Sequence, residues 1–85
     1  MREVIGESLR EKRMETGMTL RQVSVASMVS LGYLSEIERG HKEASSEVVN
    51  SIVGALGSSL SELLGDVTLR VAASELQRTE MGIAA

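Results

Sequence analysis

The chain has no cysteine and no proline, and Tyr33 is its only aromatic residue. Lacking cysteine, it has no disulfide, no thiolate metal site and no thiol nucleophile. A core with so little aromatic content rests on Leu, Val, Ile, Ala and Met, a composition suited to packed helices. No apolar run approaches the roughly 20 residues that a membrane span needs, and the segment MREVIGESLR lacks the apolar stretch of a secretory signal. A cytoplasmic location with no membrane partner is expected. His41 is the sole histidine and is read as a loop residue, so neither a metal nor a cofactor is expected. Eighty-five residues allow one small domain with a modest core.

The formal net charge is −3, an unpromising sign for a nucleic-acid partner until its distribution is considered. Residues 1–42 carry seven Lys/Arg against six Asp/Glu, and residues 43–85 carry two against six. Every basic residue except Arg70 and Arg78 therefore lies in the first half. Phosphate contacts act within a Debye length of roughly 8 to 10 Å, so an acidic remainder does not prevent them. It argues only against strong indiscriminate binding.

The segment LRQVSVASMVSLGYLSEIER, residues 20–39, reads as two short amphipathic helices joined by a tight turn. Thr19 and Gln22 have the spacing of a capping box at the start of the first, after which Val23 and Ala26 are expected to point inward. Ser30 is the cap of the second, where Leu31, Leu34 and Ile37 recur as one apolar stripe and Gly40 is the stop. Away from that stripe lie Gly32, Ser35, Glu36 and Arg39. A helix of small and hydrogen-bonding residues, held out from a core by a preceding helix, has the form of a major-groove recognition element.

Around this pair the spacing predicts a helix over about residues 3–16 that ends at Gly17, a polar loop at 41–44, and a helix capped by Ser45. The buried face of that last helix is Val49, Ile52, Val53 and Leu56, and Gly57 ends it. Ser59 and Glu62 form a second expected capping box before a short fifth helix with Leu60, Leu63 and Leu64. Gly65 and Asp66 then read as a stop and a new cap, opening a sixth helix. Its seam is Leu69, Ala72, Ala73 and Leu76 at i, i+3, i+4 and i+7. The methionines are read as core filler.

The stretches LREKRMETGMT, GYLSEIERG and VGALGSSLSELL resemble the XRE class of helix-turn-helix domains, to which lambda-type phage repressors belong. The resemblance runs from Ile5 to about Leu64 and implies an all-α, compact five-helix domain, to which the seam helix read from the spacing beyond Leu64 is appended as a sixth. Within that class GYLSEIERGHKEASSE is similar to the actinobacterial ClgR-type activators, which control genes of the Clp protease system. Residues 1–64 are expected to form the DNA-binding domain, 65–80 a dimerisation helix and 81–85 a flexible tail.

The resemblance implies that Arg13 and Glu38 form a partly buried structural ion pair; two solvated charges are the alternative. Many phage repressors have glutamines where this chain has Leu20 and Leu31, so base reading falls to other residues. The candidate base contacts are Arg21, Leu31, Gly32, Tyr33, Ser35, Glu36 and Arg39. Arginine suits guanine, glutamate accepts from cytosine, and leucine can meet a thymine methyl. Tyr33 has a second reading on the bundle edge, and Glu36 one as a solvated charge. Thr19, Ser30 and Lys42 are candidate phosphate contacts. Met28 stands where the class usually has glycine, Ser24 where alanine is usual, and Ala44 where proline is frequent.

The function expected is a sequence-specific transcriptional regulator, an activator of Clp and proteostasis genes, binding double-stranded DNA as a homodimer on a palindromic operator. The seam helix folding back on its own bundle is the alternative to dimerisation. RNA polymerase and the Clp protease are further candidate partners. The C-terminal residues Ala84 and Ala85 resemble degradation signals read by bacterial proteolytic adaptors, with a frayed tail as the alternative. A second functional class is an antitoxin-like interaction module of the same fold. No enzyme is expected, for want of a nucleophile with a base, a metal cluster or a phosphate loop.

Overall fold

Hydroxyls begin four of the five helices and left-handed glycines follow three of them, and this local chemistry sets the element order. A computed structural model describes the backbone of residues 1–84 and the side chains of residues 1–78. It contains α1 (Arg2–Thr16), α2 (Leu20–Ser27), α3 (Leu31–Glu38), α4 (Ser46–Ala55) and α5 (Leu60–Ala84). Gly17 closes α1 with a φ of 74°, its N–H donating to the Met14 carbonyl. Thr19, Ser30 and Ser45 each accept from a backbone N–H in the first turn of the helix they precede. Each satisfies one of the donors that a helix start otherwise leaves open.

The core is built from Leu9 of α1, Val23 of α2, Leu34 and Ile37 of α3, Val49, Ile52 and Val53 of α4, and Leu63 and Val67 of α5. All four residues read as the buried face of α4, Leu56 included, are buried. Val29, between α2 and α3, also points into this cluster. Two of the expected inward positions do not: Ala26 is exposed, and Leu31 retains 37% of its surface at the start of α3. Val23 is followed inward by Ser27, one full turn on. The methionines are not core filler either. Met1, Met14 and Met28 are exposed, and Met18 is the one packed against the core among the described residues.

The largest departure is at Gly65 and Asp66, where no helix ends. Gly65 keeps a negative φ, and the expected fifth and sixth helices are one continuous α5. A glycine stops a helix only if the chain gains by turning left-handed. Here it gains by continuing, because Asp66 is engaged by another helix. Its carboxylate accepts from Ser8, fully buried in α1, and from Arg70 Nε at 2.9 Å. Arg70 also meets Glu7 at 3.3 Å and Glu11 on α1. The boundary expected between residues 64 and 65 thus falls inside α5. The capping box expected at its start is half formed: Ser59 accepts from the Glu62 N–H, but the Glu62 carboxylate accepts from Ser58 instead.

Among the described residues no single helix is long and apolar enough to cross a membrane. The side chains of the expected tail, 81–85, including those of Ala84 and Ala85, lie outside the described residues.

Candidate nucleic-acid interface

The two helices of the motif are placed by hydroxyls on both sides of their turn. At the start of α2 the capping box is complete: Gln22 N–H donates to Thr19 Oγ1 at 3.1 Å, and Thr19 N–H to Gln22 Oε1 at 2.9 Å. At the turn, Met28 itself adopts the left-handed conformation, with φ 61° and ψ 24°. A side chain there costs about 1 to 2 kcal/mol relative to the right-handed region. The turn is held nonetheless, because the Val29 peptide is gripped from two directions. Ser27 Oγ accepts from Val29 N–H at 3.3 Å, and Ser24 Oγ donates to the Val29 carbonyl at 2.5 Å. Serine where alanine is usual thus becomes a fastener for the turn.

Ser30 then caps α3, accepting from Tyr33 N–H at 3.3 Å. Leu34 and Ile37 bury one face of α3, and Glu38 is buried with them at 8% exposure. That burial is possible because Arg13 meets the carboxylate with two donors, Nε at 2.8 Å and Nη2 at 3.0 Å, while Nη1 donates to the Met18 carbonyl at 3.1 Å. The Glu38 hydrogen bonds raise the Arg13 pKa against the opposing effect of burial. The pair ties α1 to α3. Gly40, at φ 75°, closes α3 with its N–H on the Ile37 carbonyl, while His41 N–H reaches back to the Glu36 carbonyl at 2.9 Å. This is a Schellman closure.

On the opposite face Gly32 and Arg39 are exposed and Ser35 is half-buried. Arg21 and Lys42 are exposed, and neither makes an ion pair among the described residues. The Thr19 and Ser30 hydroxyls accept within their caps, which leaves each O–H able to donate outward. Two candidates are otherwise engaged. Tyr33 donates its hydroxyl to the Glu43 carbonyl at 2.9 Å and packs against the core, acting as a strut between α3 and the following loop. Glu36 accepts from Arg39 Nη2 at 2.6 Å and faces His41 Nδ1 at 3.3 Å.

Two residues that sequence reasoning left out join this face. His41 is drawn to Glu36 by the turn at Gly40, and Arg10 of α1 lines an open cleft of about 620 Å³ with Leu20, Ser35 and Arg39. The i, i+3 and i+5 spacing from Glu36 was the available signal for the first; nothing local marks the second, which is brought there by helix packing. Farther along, Leu69 and Leu76 of α5 are 71% and 62% exposed, and Ala72 and Ala73 are exposed beside them. Among the described residues no group of His, Cys, Asp and Glu could hold a metal ion.

The helix-turn-helix family profile matches residues 9–63. The transcriptional regulator ClgR of Mycobacterium tuberculosis is 55% identical over 75 residues, 88% of this chain and 67% of that protein. The regulator DdrOP3 of Deinococcus deserti is 38% identical over 61 residues, 72% of this chain and 47% of its own length. The crystal structure of the clp gene regulator ClgR from Corynebacterium glutamicum superposes with a TM-score of 0.86 at 43% identity, covering 96% of this chain and 87% of that one. A polar-faced second helix of the motif, pinned to α1 through a buried ion pair, on a fold shared with the Corynebacterium protein, places the chain by structure as well as by sequence. It belongs to the helix-turn-helix family and, within it, to the ClgR-type transcriptional regulators.

Proposed function

We propose that the chain binds a palindromic operator as a homodimer and activates clp genes. The observation that carries the DNA contact is the uncovered face of α3. Gly32 and Arg39 are presented to solvent, with Ser35 half-buried between them, by a helix whose other side is anchored through Leu34, Ile37 and the Arg13–Glu38 pair. A rigid reading head of this kind loses little freedom on binding.

In this reading Arg39 and Arg21 supply the guanine-seeking donors, Leu31 a thymine-methyl contact, and Gly32 and Ser35 the close approach to base edges. Thr19 and Ser30, with donors to spare at two helix starts, and the unpaired Lys42 hold phosphates. Dimerisation is supported by the exposed apolar seam of Leu69, Ala72, Ala73 and Leu76, and a palindromic operator asks for two reading helices one DNA turn, roughly 34 Å, apart. The clp target is carried over from the Corynebacterium protein, a clp gene regulator. Activation implies a contact with RNA polymerase.

Selection of bound sites from random duplex DNA tests the reading, with Arg39→Ala in parallel. A palindromic consensus is expected, weakened at one base pair of each half-site in the variant; no enrichment at moderate salt rejects it. Sedimentation of the double variant Leu69→Glu, Leu76→Glu tests the dimer. A monomeric variant beside a dimeric parent is expected, and equal masses reject the seam.

A further inference from the structure

We propose that Glu36 and His41 are positioning residues that set the orientation of the Arg39 guanidinium for base reading, with Glu36 touching no base. This rests on the reading of α3 as the operator-contacting helix. The Glu36 carboxylate is divided between two neighbours: Oε1 accepts from Arg39 Nη2 at 2.6 Å, and Oε2 faces His41 Nδ1 at 3.3 Å. Backbone geometry enforces the grouping. Glu36 and Arg39 stand one turn apart on α3, and the closure at Gly40 sends the His41 N–H back to the carbonyl of Glu36 itself, at 2.9 Å. The imidazole is thereby delivered beside the carboxylate of the residue its backbone already holds.

Exposure orders the three groups by depth. The Glu36 side chain is 32% exposed, while those of Arg39 and His41 are 58% and 59% exposed. The anion sits back and the donors project. A carboxylate pointing outward would meet phosphate repulsion, whereas one set behind an arginine acts only through it. Arg39 commits one N–H to Glu36 and keeps four of its five for an acceptor such as guanine O6/N7. An exposed arginine without this buttress must be ordered from many rotamers when DNA arrives, which erodes discrimination.

Site selection and binding assays with Glu36→Gln, Glu36→Ala, His41→Ala, Arg39→Ala and Glu36→Ala/Arg39→Ala proteins test this. Arg39→Ala should lose a preference of roughly 5- to 150-fold at its base pair. Glu36→Gln and Glu36→Ala should lower the preference at that same base pair by roughly two- to fivefold, between the value of an exposed helical pair and that of a desolvated one. His41→Ala should do the same more weakly. Glu36→Gln should also bind random duplex roughly two- to threefold more tightly, because an anion near phosphates is gone. Lower discrimination with higher general affinity, at an unchanged melting temperature, is a combination that structural damage does not produce. The double variant should discriminate no worse than Arg39→Ala alone.

A Glu36→Ala protein that relaxes a different base pair, additively with Arg39→Ala, would make Glu36 a direct reader and overturn the proposal. Unchanged preferences in the Glu36 variants overturn it equally. Absence of any consensus for the parent chain rejects the operator reading itself, and is distinguishable because it involves no variant.

Discussion

Gly6 of α1 lies against the carboxyl end of α3 so closely that a Cβ built on it would stand 2.8 Å from the Glu38 carbonyl oxygen, and closer still to that of Ile37. Both neighbours are backbone, so neither can swing aside. Gly6→Ala should therefore force α1 and α3 apart and cost about 1 to 3 kcal/mol or more. Urea denaturation of the two proteins measures this, and equal midpoints would contradict the close approach.

The same pair of helices is joined by Arg13 and Glu38, whose side chains are 13% and 5% exposed. Removing one partner strands a buried charge. Arg13→Ala should lose about 3 to 5 kcal/mol, a large share of the 5 to 15 kcal/mol typical of a domain. Replacing both, as Arg13→Met with Glu38→Leu, should recover most of that loss, since desolvation of the charges disappears together with their attraction. A double variant as unstable as the single one would assign the cost to shape rather than charge.

Acid stability should be linked to Asp66. The Ser8 hydroxyl, and then the Arg70 guanidinium, hold its carboxyl below the ordinary carboxylate range. A carboxylate whose folded pKa is depressed contributes stability that is fully present above its unfolded value, near 4, and is lost as pH falls through the folded one. Asp66→Asn should flatten the decline of stability below about pH 4 and lower stability at neutral pH. Chemical denaturation at pH 7 and across the acid range reads both; parallel curves would separate Asp66 from the acid response.

Met28 offers the opposite sign. It combines a φ of 61° with 92% exposure, so its side chain contributes strain and little packing. Glycine removes a cost of about 1 to 2 kcal/mol and adds about 0.5 to 1 kcal/mol of backbone entropy. Met28→Gly should thus stabilise by up to about 1 kcal/mol, or roughly 4 to 8 °C in melting temperature for a domain of this size. A lower melting temperature would show that the Ser24 and Ser27 bonds already relieve the turn.

The helix starts at Thr19, Ser30 and Ser45 and the stop at Gly17 were legible because their signals are local, a hydroxyl or a missing Cβ acting within one turn. The buried face of α4 was legible for the same reason of periodicity. Leu31 and Ala26 misled: the period assigns an inward side to each helix but not how far along it the neighbouring helices reach, and these residues stand in the first turn of α3 and the last of α2. Leu31 and Ala26 are consequently left in solvent. Gly65 misled because its helical alternative is stabilised by Ser8, 58 residues away from Asp66.

Within the reading face, spacing alone placed Gly32, Ser35, Glu36 and Arg39 on one side of α3. It could not say which of them had their hydrogen bonds already committed. That depended on Gly40 turning His41 back onto Glu36, and on Glu43 presenting a carbonyl to Tyr33. The sequence by itself determined where helices begin, which stripe of each is apolar and which family the motif belongs to, since these rest on interactions within a few residues. Only the tertiary structure decided that α5 runs unbroken, that Gly6 must lack a side chain and that Glu36 faces Arg39 and His41. Each of these depends on an atom delivered by another helix or by a turn of the chain, a proximity no local pattern encodes.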